Sequence, residues 1–449
     1  MMIDPRFKDQ VVDVLRDLVR IDTSNPPGNE TEAASYLADL LAPADIETEV
    51  VESAPGRGNL IARLPGSGGG KPLMLMGHLD VVTADPGEWR YPPFAAEIHE
   101  GMLWGRGTTD MKNMVATEAV TVLALAELGR PLKRDVLFVA TADEERGGHM
   151  GMGWLARERP ALFDVACAIN EGGGRSIEAG GRVFYTCQSA EKGLCRTVWT
   201  AKGESGHGSR PQIDIATLKL ARALPRLGDG YVREHVTDTM RRALEIIASS
   251  RSKKVASRVE ELLNQGRVED ALEAAGLDQD TVDTCRPLFY DTASVTGLRA
   301  GDPESINVIP ATGTAYVDGR ILPGQTREGY LELLRGFAGD EVEIEVFREQ
   351  FSPGLESSSD SPLFQVISDV IDERCDGAKV VPWQCAGSTD AKNLIDLEVP
   401  VYGFVPSKPL PEDVETAGAH AVDERIWLEG LPFTLEILYE VVYRFCNEV

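Results

Sequence analysis

Three apolar runs, PLMLMGHLDVV, RDVLFVATA and DVACAIN, constrain the fold of this chain more than any other feature. They are continuous rather than alternating, as strands buried on both faces are, and such strands need helices above and below their sheet. Helix-spaced segments supply that cover. Val11, Val12, Leu15, Leu18 and Val19 mark a helix over residues 5 to 20, and a second spans roughly 29 to 42. MKNMVATEAVTVLALAEL reads as a long third helix, and RIWLEGLPFTLEILYEVVYRF closes the chain as an amphipathic fourth. Strands alternating with helices predict an α/β domain built on a mostly parallel sheet covered by helices.

The pattern changes near residue 190. LCRTVWTAKG, the helix IDIATLKLARAL, a strand pair around INVIPATGTAYVDGRIL, the helix TREGYLELLRGF and the strand VEIEVFRE follow the strand-helix-strand-strand-helix-strand order of a ferredoxin-like unit. Residues 230 to 290, which include SRVEELLNQGRVEDALEAAG, read as a helical insertion into that unit. From about 353 the first pattern resumes. The expected organisation is a discontinuous domain, 1–189 with 353–449, interrupted by an inserted α+β domain at 190–352.

Length and charge narrow the function classes. A chain of 449 residues is long for one core. Asp plus Glu outnumber Lys plus Arg by 72 to 45, and a net charge of −27 repels phosphate backbones and anionic lipid, so neither nucleic acid nor a membrane is an expected partner. No apolar window is long enough to span a bilayer. The start MMIDPRFKDQ lacks a basic region followed by an apolar one, and the seven cysteines form no CxxC, so the expectation is a cytoplasmic protein with reduced thiols.

The chemistry sits at the ends of the buried runs. TADEERGG places Glu144 and Glu145 side by side after VLFVA, where two carboxylates repel each other unless a cation offsets them. AINEGGG places Glu171 after another strand, and GHLDVV places His78 and Asp80 two apart, on one face of a strand. In open sheets the carboxyl ends of neighbouring strands converge on a ligand crevice. Asp110 in GRGTTDMKNM is either a helix N-cap or a carboxylate that bridges two cations. Asp80 is either a plain hydrogen-bond partner of His78 or the group behind a metal-bound imidazole. His420 stands in the loop TAGAHAVDER, and glycines bracket His207 in GESGHGSRP, whereas His99, His149 and His235 offer no partner pattern.

GHLDVV, GRGTTDMKN, TADEERGG, INEGGG, GHGSRP, NVIP followed by VDGRILPG, and GAHAVDE stand in a fixed order along the chain. In that order and spacing the chain resembles, over nearly its whole length, the zinc-dependent family that includes aminoacylase, acetylornithine deacetylase, succinyl-diaminopimelate desuccinylase and glutamate carboxypeptidase. The resemblance implies two Zn2+ per subunit, with Co2+ or Mn2+ as substitutes. His78 and Glu171 would be the terminal ligands of one ion, Glu145 and His420 those of the other, and Asp110 the bridge. It also implies that Asp80 orients His78, that Glu144 is the general base toward a metal-activated water, and that His207 stabilises the tetrahedral intermediate. Asn307 and Arg320 would contact the substrate, Arg320 by gripping a carboxylate unless it pairs with Asp318 instead. A homodimer through the inserted domain, with closure during turnover, follows from the same resemblance.

Two positions depart from the family pattern. Asn113 stands where glycine is usual and Arg146 where a third acid is common, which bears on the substrate pocket rather than on the ligands. The implied reaction is hydrolysis of the amide bond of an N-acyl amino acid or of the C-terminal residue of a short peptide. Glutamate rather than aspartate at position 171 leans the same way by analogy. The competing expectations are a dipeptidase or aminopeptidase of the same family, a two-metal phosphoesterase, and a catalytically silent metal-binding scaffold. The scaffold is disfavoured because Glu144 and every ligand type are present.

Overall fold

The three apolar runs become the strands Leu73–His78, Val136–Thr141 and Cys167–Asn170, and every residue in them is buried. They lie side by side and parallel, with Leu73 opposite both Val136 and Cys167. Val401–Gly403 extends the parallel set beyond Cys167–Asn170. The outer strands run the other way: Gly58–Leu64 pairs antiparallel with Val136–Thr141, Glu47–Glu52 with Gly58–Leu64, and Gln188 with Gly403. The parallel part of the sheet is therefore its buried centre, and the partly exposed edges are antiparallel, as half-solvated strands can be.

The computed structural model describes residues 3–44, 46–127, 129, 132–411 and 414–448, which form two compact units. The first comprises 1–189, 357–383 and 389–449, and the second 190–356 with 384–388. In the first, the helices Arg6–Arg20, Lys112–Glu127, Gly430–Glu448 and Pro362–Arg374 pack one on the next in that order, and Glu30–Leu41 lies on the two antiparallel edge strands. Leu15, Leu18, Val115, Val120, Phe138, Ile367, Leu435 and Val442 are among the residues of this core. Lys112–Glu127 is apolar nearly all round, which suits a helix with neighbours on every side. RIW, expected as the start of the last helix, is instead the strand Arg425–Trp427, paired antiparallel with Met102–Trp104, and the helix begins at Gly430.

The second unit is a five-stranded antiparallel sheet in the order Tyr231–Glu234, Tyr290–Ala300, Thr312–Ile321, Gly193–Lys202, Val342–Ser352. With the helices Ala216–Ala223 and Arg327–Ala338 it has the ferredoxin-like order, around a core of Trp199, Leu220, Val317, Tyr330, Leu334 and Ile344. The hairpin is not where the apolar pattern put it. INVIP contributes only the two-residue strand Val308–Ile309, paired with Gly206–His207, and the partner of Thr312–Ile321 is Tyr290–Ala300. That strand, YDTASVTGLRA, is mostly exposed and carries no apolar stripe to betray it. The insertion is helical, with Asp238–Arg251, Lys253–Asn264, Val268–Ala275 and Gln279–Cys285. Thr237, Ser252 and Asp278 cap the first, second and fourth by accepting from backbone N–H groups.

Candidate metal centre

The first unit gathers the acidic strand ends at one place. His78 is the last residue of Leu73–His78, Glu144 and Glu145 form the turn after Val136–Thr141, and Glu171 follows Cys167–Asn170. Because these strands are adjacent and parallel, their carboxyl ends point the same way and the side chains converge. Asp110 enters from the loop before Lys112–Glu127, and His420 from the loop before Arg425–Trp427. Two groups of potential ligand atoms result, His78 with Asp110 and Glu171, and Asp110 with Glu145 and His420, each with its atoms within 4.8 Å of one another.

Asp110 belongs to both groups, and its two oxygens divide between them. Oδ1 lies 3.1 Å from His78 Nε2, and Oδ2 lies 3.2 Å from His420 Nε2. Glu171 Oε1 is 3.8 Å from His78 Nε2, and Glu145 Oε2 is 3.0 Å from His420 Nε2. Two imidazoles and three carboxylates, one of them shared, fit the nitrogen and oxygen preference of zinc, with three protein atoms for each ion as in catalytic sites.

The protonation of this cluster reflects charges facing one another at short range. Burial is the largest influence on Glu145 and raises it to about 7, with the Asp110 and Glu144 carboxylates acting in the same direction and the His78 and His420 imidazoles against it. His420 is raised to about 9 by its hydrogen bond to Asp110. For Asp110, burial works upward, but the two imidazoles prevail and hold the carboxyl well below its usual range. His78 is buried, which disfavours its charge, yet the Asp110 and Asp80 carboxylates keep it well above an ordinary histidine. A cation bound here would stand in for protons that the imidazoles otherwise carry.

Behind the potential ligands lies a buried polar frame. His78 Nδ1 finds its nearest acceptor in the backbone carbonyl of Asp80, at 2.9 Å, while the Asp80 carboxylate is 3.5 Å away. That carboxylate instead accepts from the Glu144 N–H at 3.0 Å, the Glu145 N–H at 3.2 Å and Asn25 Nδ2 at 2.8 Å. It thus fixes the turn that carries both glutamates. Asn25 also donates to Asp143, and Arg57, itself buried, donates to Glu30 at 2.8 Å and Asp143 at 3.0 Å. Glu144 accepts from Lys392 Nζ at 3.1 Å, and Lys392 also donates to the Thr389 carbonyl. Part of the cation demanded by the paired glutamates therefore comes from the protein. Asn25, Arg57 and Lys392 carried no local signal, since each lies far along the chain from the carboxylates it serves.

Glycines at the end of Cys167–Asn170 have a steric reason. A Cβ on Gly173 would stand 2.5 Å from the Gln188 backbone nitrogen, and one on Gly174 would stand 2.2 Å from the Val405 carbonyl oxygen. GGG lets the chain after Glu171 pass between two backbones.

The remaining expected residues belong to the second unit. His207 is exposed on the short strand Gly206–His207, and its Nδ1 accepts from the Ser209 N–H at 3.1 Å. Asn307 receives the Gly208 N–H on its backbone carbonyl at 2.7 Å, which ties the His207 loop to the chain before Val308–Ile309. Arg320 Nε donates to Asp318 at 2.8 Å, and Asp318 also accepts from Arg196 at 3.0 Å. Among the other histidines, His99 does have a partner: its Nε2 is 2.7 Å from Glu97 and its ring stacks on Tyr91. Glu97 stands two residues before His99 on the same short strand, Glu97–His99, and Tyr91 comes from the segment that precedes that strand. Asn113 lies in the first turn of Lys112–Glu127, and Arg146 is exposed on the turn that follows the paired glutamates.

Residues 74–444 match the peptidase family M20/M25/M40. The chain belongs to that family. It is accordingly a metallohydrolase of the amidohydrolase and peptidase kind, with residues placed for a dinuclear centre. Among M20 relatives, the N-fatty-acyl-amino acid synthase/hydrolase PM20D1 of Xenopus tropicalis is 26% identical over 463 aligned residues, covering 96% of this chain and 85% of that protein. A probable succinyl-diaminopimelate desuccinylase of Staphylococcus aureus is 26% identical over 447, covering 97% and 98%. The fold matches that of the M20 metallo-carboxypeptidase Sso-CP2 from Sulfolobus solfataricus, with a TM-score of 0.71 at 19% identity, over 97% of this chain and 99% of that one.

Proposed function

We propose that this M20 protein hydrolyses the amide bond of an N-acyl amino acid, or of the C-terminal residue of a short peptide, with Glu144 as general base beside two zinc ions. The observation that carries the proposal is the split use of Asp110, Oδ1 toward His78 at 3.1 Å and Oδ2 toward His420 at 3.2 Å. One carboxylate turned toward two imidazoles is suited to bridging two ions, and three protein ligands for each leave a coordination position open for water or substrate. Bound zinc would supply Lewis acidity and would lower the pKa of a shared water from ~15.7 toward ~7.

Within this reading the chain's own residues divide the remaining work. Glu144 takes up the water's proton and returns it to the leaving nitrogen, while Lys392 and the Asp80-bound N–H hold it in place. His207 acts as a donor to the developing oxyanion. The Ser209 N–H can only donate, so Nδ1 is the acceptor and a neutral ring carries its proton on Nε2. Asp318 orients the Arg320 guanidinium through Nε, and the terminal amino groups grip the substrate carboxylate, with Asn307 beside the His207 loop.

The names of the two relatives both describe acylated amino-acid compounds, which favours an acyl amino acid over a peptide. The seven cysteines are free, which supports a reducing, cytoplasmic setting. Among the described residues no helix is long and apolar enough to cross a membrane. A homodimer through the 190–356 unit is supported by the strand Tyr290–Ala300, on which Val295 and Leu298 are exposed.

The test is amine release by zinc-loaded protein, with a chelator-stripped control, from N-acyl amino acids, their carboxamides and dipeptides. Zinc-dependent cleavage that needs both the acyl group and the free carboxylate is expected; a preference for dipeptides would move the reading to a peptidase. Glu144→Ala is expected to keep two zinc ions and to lose about 10²–10⁴-fold in kcat. Parent rates in that variant would remove Glu144 from the mechanism.

A further inference from the structure

We infer that Glu424 is a positioning residue that sets the bridging carboxylate Asp110 against His420, an inference that rests on the two-metal reading above. Glu424 is fully buried and is surrounded by donors from a single loop. Its Oε1 accepts from the Thr109 N–H at 2.7 Å, Thr109 Oγ1 at 2.9 Å and the Asp110 N–H at 3.3 Å. Its Oε2 accepts from Arg106 Nη1 at 2.6 Å and the Gly107 N–H at 3.1 Å. The backbone adds a further link, since the Gly105 N–H donates to the Glu424 carbonyl at 3.0 Å.

These contacts account for almost the whole of GRGTTD, the loop whose last residue is Asp110. Glu424 itself stands four residues after His420, on the segment AVDE. That segment is held in an uncomfortable shape, because His420 at φ +64° and Asp423 at φ +60° both occupy the left-handed region without being glycine. A buried anion receiving several directed hydrogen bonds is what keeps such a segment in one conformation. The same anion thus ties the loop of one ligand to the loop of another, and both ligands belong to the Asp110, Glu145 and His420 group. The other group shares only Asp110 with this arrangement, and its remaining members, His78 at the end of Leu73–His78 and Glu171 directly after Cys167–Asn170, are positioned by the sheet rather than by Glu424.

Both carboxylate oxygens are required. In Glu424→Gln one of the two oxygens becomes an NH2 that faces N–H donors, so either the Arg106–Gly107 half or the Thr109–Asp110 half of the clamp is lost with hardly any change of volume. The experiment is competition of parent and Glu424→Gln protein with a chromophoric chelator for Zn2+, together with the visible spectrum of Co2+-loaded protein and the melting of metal-free protein. The expected result is two ions bound by the parent and, in the variant, one site weakened about 10–100-fold with an altered Co2+ spectrum, the other site kept, and the metal-free fold retained. Should Glu424→Gln not fold, Thr109→Val is expected to weaken the same site to a smaller degree and Thr109→Ser to restore it. Parent-like affinities at both sites in Glu424→Gln, or an equal loss at both that tracks a fall in melting temperature, would overturn the inference. A parent chain that binds fewer than two ions would instead remove the two-metal reading on which it stands.

Discussion

At the scale of single residues, Glu118 is the side chain most at odds with its surroundings. It is fully buried on Lys112–Glu127, and neither carboxyl oxygen has a hydrogen-bond partner among the described residues. Its Oε2 lies 3.4 Å from where a Cβ on Gly77 would stand, directly under the strand that ends in His78. Burial pushes its pKa well above the ordinary value of 4.5. The sign follows from proton counting. Above pH 4.5 the unfolded chain has released a proton that the folded protein still binds, so this group makes stability fall as pH rises toward the folded value. Glu118→Met, close in volume and without a polar group to bury, is expected to stabilise the first unit by about 1–3 kcal/mol at pH 8 and to flatten its pH dependence above pH 5. Unfolding midpoints of parent and variant across pH 5 to 9 check it, and parallel curves would mean that Glu118 has a partner or access to water. The five residues that gather into the two potential ligand groups could be singled out in the sequence because each stands at the end of a strand or in a glycine-flanked loop. Glu118 was hidden within a helical apolar pattern, and the frame residues Asn25, Arg57, Lys392 and Glu424 are paired only by the fold.

Elements succeed or fail here by how closely their ends can approach. The turn after Val136–Thr141 carries both site glutamates and closes on Gly151, where a Cβ would stand 1.7 Å from the Ala142 carbonyl oxygen. Ala142 precedes Asp143, Glu144 and Glu145 directly, so the carbonyl cannot yield without moving the turn. Gly151→Ala is expected to cost more than ordinary overpacking, at least about 3 kcal/mol, and to weaken metal binding at the same time. Denaturant midpoints and zinc competition measure the two effects. Parent values in both would show that the turn relaxes around the methyl group. Element boundaries were readable wherever a pattern of burial existed: the helix expected over 5 to 20 is Arg6–Arg20, and the one expected over 29 to 42 is Glu30–Leu41. They were unreadable where the burial of an element follows no regular period along the sequence. Tyr290–Ala300 is held by the ladder to Thr312–Ile321, and Arg425–Trp427 by the ladder to Met102–Trp104, without a side-chain period to announce either.

On the scale of the whole molecule, the edge of the second unit's sheet bears on assembly. Tyr290–Ala300 pairs along its length with Thr312–Ile321, but its other side meets Tyr231–Glu234 only at Tyr290, Asp291 and Thr292. A bulge between Val295 and Gly297 places Val295 opposite Val317 and Leu298 opposite Ala315, and these partners are two apart, so Val295 and Leu298 share a face. They are 43% and 62% exposed. A strand edge of this kind, with two exposed apolar side chains on one face and without the lysines or prolines that discourage pairing, is a template for a second strand. Opposing that, each chain carries a net charge of −27, so two copies repel each other over most of their surfaces. If apolar pairing at this edge drives association, the dimer proposed above should tighten as salt screens the repulsion, with the Debye length falling from about 30 Å at 0.01 M to about 8 Å at 0.15 M. Sedimentation equilibrium is expected to give twice the chain mass of 48.8 kDa at 0.15 M salt and partial dissociation at 0.01 M. The double variant Val295→Lys with Leu298→Lys is expected to sediment as a single chain while binding its full complement of zinc, because no proposed ligand lies in that strand. A parent that sediments as one chain at every salt concentration, or a double variant that remains paired, would move the self-association surface elsewhere or remove it.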